Sequence, residues 1–270
     1  MASHTNITDL PDPVFEEILS LLSLKEAVAT CLSSKQWSHI RMSLPSLDFD
    51  ESNFSSIHCF LQYVDTVMRL RDDSETLKKF HLILRSICSR KNLKKINTQI
   101  NAALDSKPEH VEIYDHNACN NKIPSCIFKC NTITVLKLTG VQVMTTTPSF
   151  VDLPSLKVLH LSNVIFSNPK FVYNLLYSCP SLQDLLLKYC FTPHRGRILP
   201  INRESLRKSV PAYASQYPFS LEERLKNLVS ADVYNYPFTL QSLSNARTLR
   251  IDTVCLSKFI LLLFIFRFCN

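Results

Sequence analysis

One group of metal-type ligands stands out in the sequence: His116, Cys119, Cys126 and Cys130, with H-x2-C and C-x3-C spacings. Imidazole nitrogen and thiolate sulfur are the ligands that zinc prefers, and four of them complete a structural site. The other interpretation is structural burial, because a free cysteine usually packs as a small hydrophobic residue. Cys130 also occupies a core position of the internal repeat described below. We therefore predict buried thiols and no bound metal.

Two pairs of cysteine and histidine could support nucleophilic catalysis, namely Cys31 with His39 and Cys190 with His194. A catalytic cysteine needs a lowered pKa, a base within reach and an accessible cleft. Cys31 falls on the apolar face of a predicted helix, and Cys190 occupies a core position of the repeat. Both positions favour a structural role, so we predict no catalytic residue and no enzymatic activity.

The scarcity of glycine excludes several enzyme classes. Only Gly140 and Gly196 are present among 270 residues. A G-x-G-x-x-G dinucleotide fingerprint needs three close glycines, and the phosphate loop and the G-x-S-x-G nucleophile elbow each need two at short range. The H-E-x-x-H zinc helix is also absent from the sequence. We therefore predict that the protein uses no cofactor.

The formal net charge of +7 raises the question of a nucleic-acid partner. Such a partner requires cations clustered on one face of the protein. The densest basic stretch, residues 85–95, is interleaved with apolar residues at the spacing of an element with one buried and one solvated side. We expect a solvated surface there, and no nucleic-acid partner.

The sequences of the two ends of the chain give an expectation for its cellular location. Residues 1–12 contain neither the basic segment nor the apolar run of a secretory signal, so the ten cysteines are interpreted as free thiols. We expect a cytoplasmic or nuclear protein. Residues 259–266 form an apolar run of eight, too short to span a membrane as a helix. A chain cut off inside a larger fold, or a gene-model error, is favoured over an anchor, and residues 257–270 are assigned as an apolar tail.

Residues 9–41 have the pattern of three short helices. Asp12 can cap the first, with Pro13 at its first position. Its apolar face consists of Val14, Phe15, Ile18, Leu19 and Leu22. Ser23 and Glu26 have the spacing of a capping box that opens the second helix. The third would carry Lys35, Trp37 and Ile40. Segments below about 40 residues rarely bury such a surface alone, so part of it must contact another body.

This segment resembles an F-box, with Leu10 and Pro11 as the opening pair and Lys35 and Trp37 as the closing K-x-W. The sequence KEAVAT and the later LDFD at residues 47–50 are similar to the plant F-box/leucine-rich-repeat family in particular. The resemblance assigns residues 7–42 to the F-box and implies a Skp-type adaptor as partner, and through it a cullin. The implied adaptor-binding residues are Leu10, Pro11, Val14, Ile18, Leu22, Lys35 and Trp37.

An internal repeat fills most of the remaining chain. Residues 133–138, 156–161 and 182–187 all read L-x-x-L-x-L, with isoleucine at the first position of the first copy. This matches the leucine-rich repeat. Weaker copies begin at Leu44, Leu77, Pro108, Leu206, Leu228 and Ala246, giving nine windows within residues 43–256. Helices between the windows are predicted to face inward with three sets of residues: Ile57, Leu61, Val64 and Met68; Ile96, Ile100 and Leu104; and Phe171, Val172, Leu175 and Leu176. We predict an α/β fold: a three-helix F-box followed by a leucine-rich-repeat solenoid with short parallel strands, truncated at its C terminus.

Strand alternation predicts which residues point away from the core. In each window the residue between the last two leucine positions should lie on the concave face. These residues are Asp48, His81, Glu112, Lys137, His160, Leu186, Val210, Asp232 and Arg250. Leu186 beside Val210 would form an apolar pair with a polar rim. The predicted target-binding residues are His81, Lys137, His160, Leu186, Asp232 and Arg250. An ordinary solvated sheet face is the alternative.

The resemblance and the repeats together imply a function without catalysis. The protein would be the substrate-recognition subunit of a Skp/cullin/F-box ubiquitin ligase, docking on the adaptor by its F-box and holding a protein target with its repeats. The alternative is an interaction scaffold that does not direct ubiquitination because its F-box has decayed. Gln36 and Arg41, which depart from the usual F-box pattern, are the residues in its favour.

Overall fold

The computed structural model describes most of the repeat region and part of the N-terminal segment. The described residues are 14, 17–18, 21–22, 24–33, 44–72, 75–86, 88–116, 121–143, 151–168, 170–194, 197–200, 220–234 and 240–252. The third predicted helix and the apolar tail lie outside these residues. The domain boundaries near residues 42 and 256 therefore stay a prediction.

The structure gives bounds for five α-helices and eleven strands in the described part of the chain, and Val14, Glu17 and Ile18 are helical as well. The helices are α1 (Leu24–Ser33), α2 (Ile57–Leu70), α3 (Arg90–Asp105), α4 (Lys170–Tyr177) and α5 (Leu221–Arg224). The strands are β1 (Ser46–Asp50), β2 (Lys79–Leu84), β3 (His110–Asp115), β4 (Lys122–Ile123), β5 (Val135–Thr139), β6 (Gln142–Val143), β7 (Val158–Phe166), β8 (Asp184–His194), β9 (Arg197–Pro200), β10 (Ser230–Tyr234) and β11 (Thr248–Asp252). Short 3-10 turns span Glu51–Asn53, Ser125–Lys129 and Leu240–Leu243.

The strands form one sheet in which neighbours follow chain order. The main path runs β1-β2-β3-β5-β7-β8-β10-β11, and every pair along it is parallel. The short strands β4 and β6 continue the parallel pairing to the end of β7, and β9 pairs antiparallel with β8. Successive strands that carry the L-x-x-L-x-L motif and pair in parallel form a repeat solenoid, so the predicted α/β repeat fold with short parallel strands is confirmed.

The leucine positions of the repeat build the core. Leu136, Leu138, Leu159, Leu161 and Leu185 are fully buried. Side chains alternate along a strand, so residues between these positions point to the other face, and β5 accordingly alternates half-buried and buried residues. One repeat cannot cover its own leucines, and the buried residues of all the repeats form one continuous cluster.

Helices cover the leucine side of the sheet in the early repeats and near β7. The predicted inward residues Ile96, Ile100 and Leu104 of α3 are buried, as are Phe171, Val172, Leu175 and Leu176 of α4. In α2 the buried face is rotated relative to the prediction. Ile57 and Met68 are only half-buried, while Phe60, Val67 and Leu70 join Leu61 and Val64 inside. No helix of the described residues is long and apolar enough to cross a membrane.

A buried arginine connects the first three windows. Arg71 is 1% exposed, and its Nε donates to the carbonyl oxygen of Leu44 at 3.3 Å. Its two terminal nitrogens donate to Ser106 Oγ at 2.9 Å and to the carbonyl oxygen of Glu75. A buried charge requires such partners because it has lost its water. The guanidinium therefore joins three segments of the chain that are far apart in sequence.

The window at Leu206 does not contribute a strand between β8 and β10, and this prediction was wrong. β8 pairs directly with β10, with Leu186 opposite Asp232, so no place remains for an intervening strand. Val210 lies outside the described residues, and the predicted apolar pair of Leu186 with Val210 is replaced by Leu186 beside Asp232. Residues 201–219 separate two strands that are direct neighbours.

The second predicted helix of the N-terminal segment packs on the solenoid. Ala27 and Val28 of α1 are buried and belong to the same core cluster as the repeats, and Leu22 and Leu24 pack against it half-buried. Helix α1 contacts α2, the first helix of the repeat array. The apolar surface of the N-terminal segment is therefore partly used to join it to the repeats.

A residue with a left-handed backbone conformation recurs two positions after the last leucine of the motif. Gly140, Asn163 and Tyr189 occupy this position in successive repeats, with φ of 70°, 53° and 52°. Glycine adopts this conformation without cost, and asparagine tolerates it better than most residues. At Gly140 the space is closed as well, because an added Cβ would lie 1.9 Å from the carbonyl oxygen of Asp115.

We therefore expect Gly140→Ala to lower the free energy of unfolding by about 2 to 4 kcal/mol, through backbone strain and a clash with a neighbouring strand. Urea unfolding followed by circular dichroism measures this. Asn163→Gly is the matched control, and its effect should stay below about 1 kcal/mol because glycine accepts the same backbone angles. Equal unfolding midpoints for Gly140→Ala and the wild type would contradict the described contact.

Candidate functional site

The predicted outward residues form one continuous row across the sheet. Cross-strand partners run from Asp48 to His81, Glu112, Lys137, His160, Leu186, Asp232 and Arg250 in that order. The six residues predicted to bind a target all belong to this row. The register predicted from the repeat is thus confirmed for eight of the nine windows. We call the sheet surface that carries the row the open face.

Hydrogen bonds and one lysine–glutamate ion pair connect neighbouring strands along this part of the open face. Asp48 and His81 lie 2.8 Å apart, and His160 lies 2.9 Å from Asp184. Lys137 Nζ lies 3.3 Å from Glu112 Oε1. Because parallel strands hold these residues side by side, each carboxylate faces a cation or an imidazole without leaving its repeat position.

The pair of Glu112 and Lys137 is the least exposed of these pairs. Burial raises the pKa of the Glu112 carboxyl, but the hydrogen bond and charge of Lys137 outweigh this effect and hold the pKa below its ordinary value. The Tyr114 hydroxyl donates to Glu112 Oε2 at 3.4 Å, and the Tyr114 ring meets the His81 ring edge to face at 5.5 Å. Burial and the nearby carboxylate raise the pKa of Tyr114.

The far end of the open face combines charges with aromatic rings. Lys188 Nζ lies 3.0 Å from Asp232 Oδ2, and this hydrogen bond raises the pKa of the lysine. The same ammonium lies 5.0 Å from the centre of the Tyr234 ring. Arg250 approaches Asp232 at 4.0 Å and is 78% exposed. Asp232 thus accepts a hydrogen bond from Lys188 on one neighbouring strand and forms a longer ion pair with Arg250 on the other.

Several residues of this surface were missed by the sequence analysis, notably Asp184, Lys188, Tyr189 and Tyr234. Asp184 and Lys188 lie two positions before and after Leu186 on β8, and Tyr234 lies two positions after Asp232 on β10. Alternation places such residues on the same face as the predicted row. Extending the period-two argument to both neighbours of each row position would have found these three.

The described part of the predicted adaptor site is apolar and partly exposed. Val14 is 40% exposed, Ile18 is intermediate, and Leu22 packs against the core. Leu21 was missed, although it is 82% exposed. Leu10, Pro11, Lys35 and Trp37 lie outside the described residues.

The predicted ligand set for zinc is only partly described, because Cys119 lies outside the described residues. Cys126 Sγ donates to Asn101 Oδ1 at 3.0 Å, whereas Cys130 Sγ lies 3.2 Å from Thr132 Oγ1. Among the described residues there is no group of three or more histidine, cysteine or acidic side chains that could hold a metal ion. Of the two predicted nucleophile pairs, only the Cys190 side chain is described, and it is half-buried.

The described thiols differ in their ionisation. Hydrogen bonds from Ser56 and Ser55 lower the pKa of the exposed Cys59 thiol at the start of α2. Burial raises the pKa of Cys88 to about 11 and that of Cys179 to about 12. Cys179 also donates to the carbonyl oxygen of Leu175 at 3.0 Å, as a structural residue does.

The parallel sheet, its repeated inward leucines and its open face define the protein as a leucine-rich-repeat solenoid. The model for the repeats of "FBD-associated F-box protein At5g56370" matches residues 102–255, and the F-box domain model matches residues 7–44. The first match covers more than half of the chain. The chain therefore belongs to the family of F-box proteins with leucine-rich repeats.

Relatives from Arabidopsis thaliana agree with this assignment. F-box/FBD/LRR-repeat protein At1g51370 is 31% identical over 202 residues, which are 75% of this chain and 44% of the relative. F-box/LRR-repeat protein 13 is 31% identical over 190 residues, 68% of this chain and 41% of the relative. F-box protein At4g09920 is 27% identical over 261 residues, 92% of this chain and 80% of the relative. The chain thus spans less than half the length of the first two. No solved structure matches the chain with significance.

Replacing Lys137 by methionine should lower the free energy of unfolding by about 1 kcal/mol at pH 7, because it leaves a half-buried carboxylate without its cation. The pKa of Glu112 is lowered in the folded state, so the stabilisation is present above its unfolded pKa of about 4.3 and is lost as pH falls through the folded value. The difference from wild type should therefore shrink at acid pH. Urea unfolding midpoints of the wild type and Lys137→Met, measured from pH 7 to acid pH, test this prediction. Lys157→Met, at an exposed lysine, is the control. A difference between wild type and Lys137→Met that does not change with pH would contradict the ion pair.

The rate of alkylation should distinguish the exposed thiol of Cys59 from the buried thiol of Cys179. At pH 8 we expect iodoacetamide to modify Cys59 more than about tenfold faster than Cys179, because the thiolate is the reactive form and only Cys59 is exposed with a lowered pKa. Peptide mass spectrometry resolves the two sites in one sample, and Cys88 should react at an intermediate rate. Equal rates for Cys59 and Cys179 in the folded protein would contradict the described burial.

Proposed function

We propose that this chain is the substrate-recognition subunit of a Skp/cullin/F-box ubiquitin ligase. Its F-box would bind a Skp-type adaptor and, through it, a cullin, while its repeats hold a protein target. The observation that carries the proposal is the F-box match at residues 7–44, followed in the same chain by a solenoid with an accessible sheet face. The proposal includes no cofactor, no catalytic residue and no nucleic-acid partner, and a cytoplasmic or nuclear location.

The adaptor side of the proposal rests on the apolar residues of the N-terminal segment. Val14 and Leu21 are exposed large hydrophobic residues that the solenoid leaves uncovered. Such residues are commonly binding anchors when they lie together at an interface. We assign adaptor contact to Leu21 together with the family positions Leu10, Pro11, Val14, Ile18, Leu22, Lys35 and Trp37.

The target side of the proposal rests on the open face. The predicted residues belong to one row of eight residues on eight strands, and they are His81, Lys137, His160, Leu186, Asp232 and Arg250. Their backbones are held by sheet hydrogen bonds, so the side chains present a preorganised surface to a partner. A preorganised surface binds with a smaller entropic cost than a flexible loop.

The mechanism in this proposal is the control of distance. Helix α1 packs on α2, so the F-box is attached to the solenoid through a buried contact rather than through a free linker. A target held on the open face would stay at a defined separation from the adaptor. Tethering converts an encounter between two molecules into a nearly intramolecular one and raises the effective concentration. The chemistry of ubiquitin transfer would reside on other subunits.

Leu21→Asp tests the adaptor contact. We expect the affinity of the full chain for a purified Skp-type adaptor to fall by at least about tenfold, since a charge would replace an apolar anchor. The melting temperature should not change, because the Leu21 side chain is 82% exposed. Isothermal titration calorimetry measures the affinity. Val229→Asp, at an exposed apolar residue of the repeats, is the matched control and should bind as the wild type does.

Wild-type affinity of Leu21→Asp would contradict the assigned contact. No binding of the adaptor by the wild-type chain would contradict the ligase proposal itself and favour the alternative, a scaffold with a decayed F-box that assembles proteins without ubiquitination. Gln36 and Arg41 would then be the first residues to exchange for those of a binding F-box.

A further inference from the structure

Tyr189 has a backbone conformation that its residue type disfavours. Its φ of 52° is in the left-handed region, at the repeat position where Gly140 and Asn163 stand in the two preceding repeats. Those two residue types accept the conformation at little cost, whereas a bulky side chain is strained there. Strain of this kind persists only where the surrounding structure holds the backbone in place, and such positions are concentrated at binding sites.

The ring of Tyr189 lies at the surface beside a second ring. The residue is 51% exposed, and its ring centre is 5.3 Å from that of Tyr234 on the neighbouring strand β10, at an interplanar angle of 41°. We call these two residues the tyrosine pair. Rigid aromatic side chains with a polar tip are enriched at the centres of protein interfaces.

Apolar side chains continue from the tyrosine pair along the open face. Leu186 lies three residues before Tyr189 on the same strand, about 10 Å along it. Val158 is the cross-strand partner of Val135 and is diagonal to Leu186 on the neighbouring strand. All three aliphatic side chains are half-buried. On the open face Leu186 has Val158 and Tyr234 on its diagonals, while its direct neighbours His160, Asp184, Lys188 and Asp232 are polar. Leu186, Val158 and the tyrosine pair are therefore separate apolar anchors on β7, β8 and β10.

The cations around these anchors already have partners within the protein, whereas Asp232 Oδ1 is buried without a hydrogen-bond partner. His160 pairs with Asp184, Lys188 pairs with Asp232, and Arg250 shares the carboxylate of Asp232. The Lys188 ammonium also lies over the Tyr234 ring and so disfavours a second cation there. A strongly charged ligand would have to break an existing pair and would gain little in return. The surface is therefore complementary to an uncharged ligand with apolar anchors, to which Asp232 Oδ1 can also offer a hydrogen-bond acceptor.

We propose that Leu186, Val158 and the tyrosine pair are the docking site for an uncharged segment of a protein partner that presents apolar or aromatic anchors. The inference rests on the proposed function, in which such a partner is the ligase target. Tyr189 is a specificity residue of this site, and its ring accounts for the retention of a strained backbone.

Selection of displayed random peptides of about 12 residues on the immobilised full chain tests the ligand chemistry. Enriched peptides should carry apolar or aromatic residues and a net charge near zero. Their Kd should change by less than about twofold between 0.1 and 1 M NaCl, over which the Debye length falls from about 10 to about 3 Å. Enrichment of strongly acidic or basic peptides, a steep salt dependence or no enrichment would overturn the proposal.

Variants at Tyr189 separate a binding role from a structural one. Tyr189→Asn places a residue suited to the left-handed conformation, so the melting temperature should be unchanged or higher, while peptide affinity should fall by about tenfold. Tyr189→Phe keeps the ring and should retain binding. Leu186→Asp should weaken binding without loss of fold, with Val229→Asp as the matched control. Wild-type affinity of both Tyr189→Asn and Leu186→Asp would overturn the proposal.

Adaptor binding is measured on the same preparations, so the two proposals fail separately. If the chain selects uncharged apolar peptides but does not bind the adaptor, the result supports the docking site and contradicts the ligase function. If the chain binds the adaptor but its affinity for the peptides does not depend on Tyr189, the result supports the ligase function and contradicts the docking site. Light scattering identifies a second copy of the chain as occupant; self-association abolished by Leu186→Asp would overturn the choice of a different partner.

Discussion

The structure depends on the fact that no single repeat can bury its own leucines. Each L-x-x-L-x-L strand must stack beside the next one in register, because a slip of one residue would turn every leucine out of the core. The continuous cluster of buried residues and the parallel pairing from β1 to β11 follow from this requirement. The same close stacking closes the space at Gly140, where the Asp115 carbonyl oxygen of the neighbouring strand leaves no room for a Cβ.

The register that buries the leucines also arranges the open face. Residues such as Glu112 and Lys137, which are far apart in sequence, become cross-strand neighbours whenever their repeats align. Mutual pairing then neutralises most of the charged row. What the sheet presents to a partner is consequently set by its uncharged apolar and aromatic residues, among which Leu186 and Tyr189 lie on one strand. The net charge of +7 is therefore a poor guide to this surface.

The accuracy of the sequence-based predictions varied with the range of the interactions involved. The inward faces of α3 and α4 were predicted correctly, because a helical period is visible within a few turns. The α2 face was rotated, since several apolar positions compete there and packing on β1 and β2 selects Phe60 over Ile57. The Leu206 window failed for a related reason: a degenerate motif carries no signal that β8 will pair directly with β10. The sequence analysis did not identify Leu21 as an exposed residue, because a run of apolar residues does not show which of them the fold leaves uncovered.

The sequence by itself determined the family, the repeat and the alternation that divides each strand between core and open face. These properties follow from short-range spacing, which a local pattern records completely. Only the tertiary structure decided which charges pair, which apolar residues stay exposed and where the backbone is strained. Asp232 meets Lys188 and Arg250, and Tyr189 meets Tyr234, through strand neighbours that lie 18 or more positions apart in the chain. Such contacts arise from stacking, so their energies depend on residues that no single repeat contains.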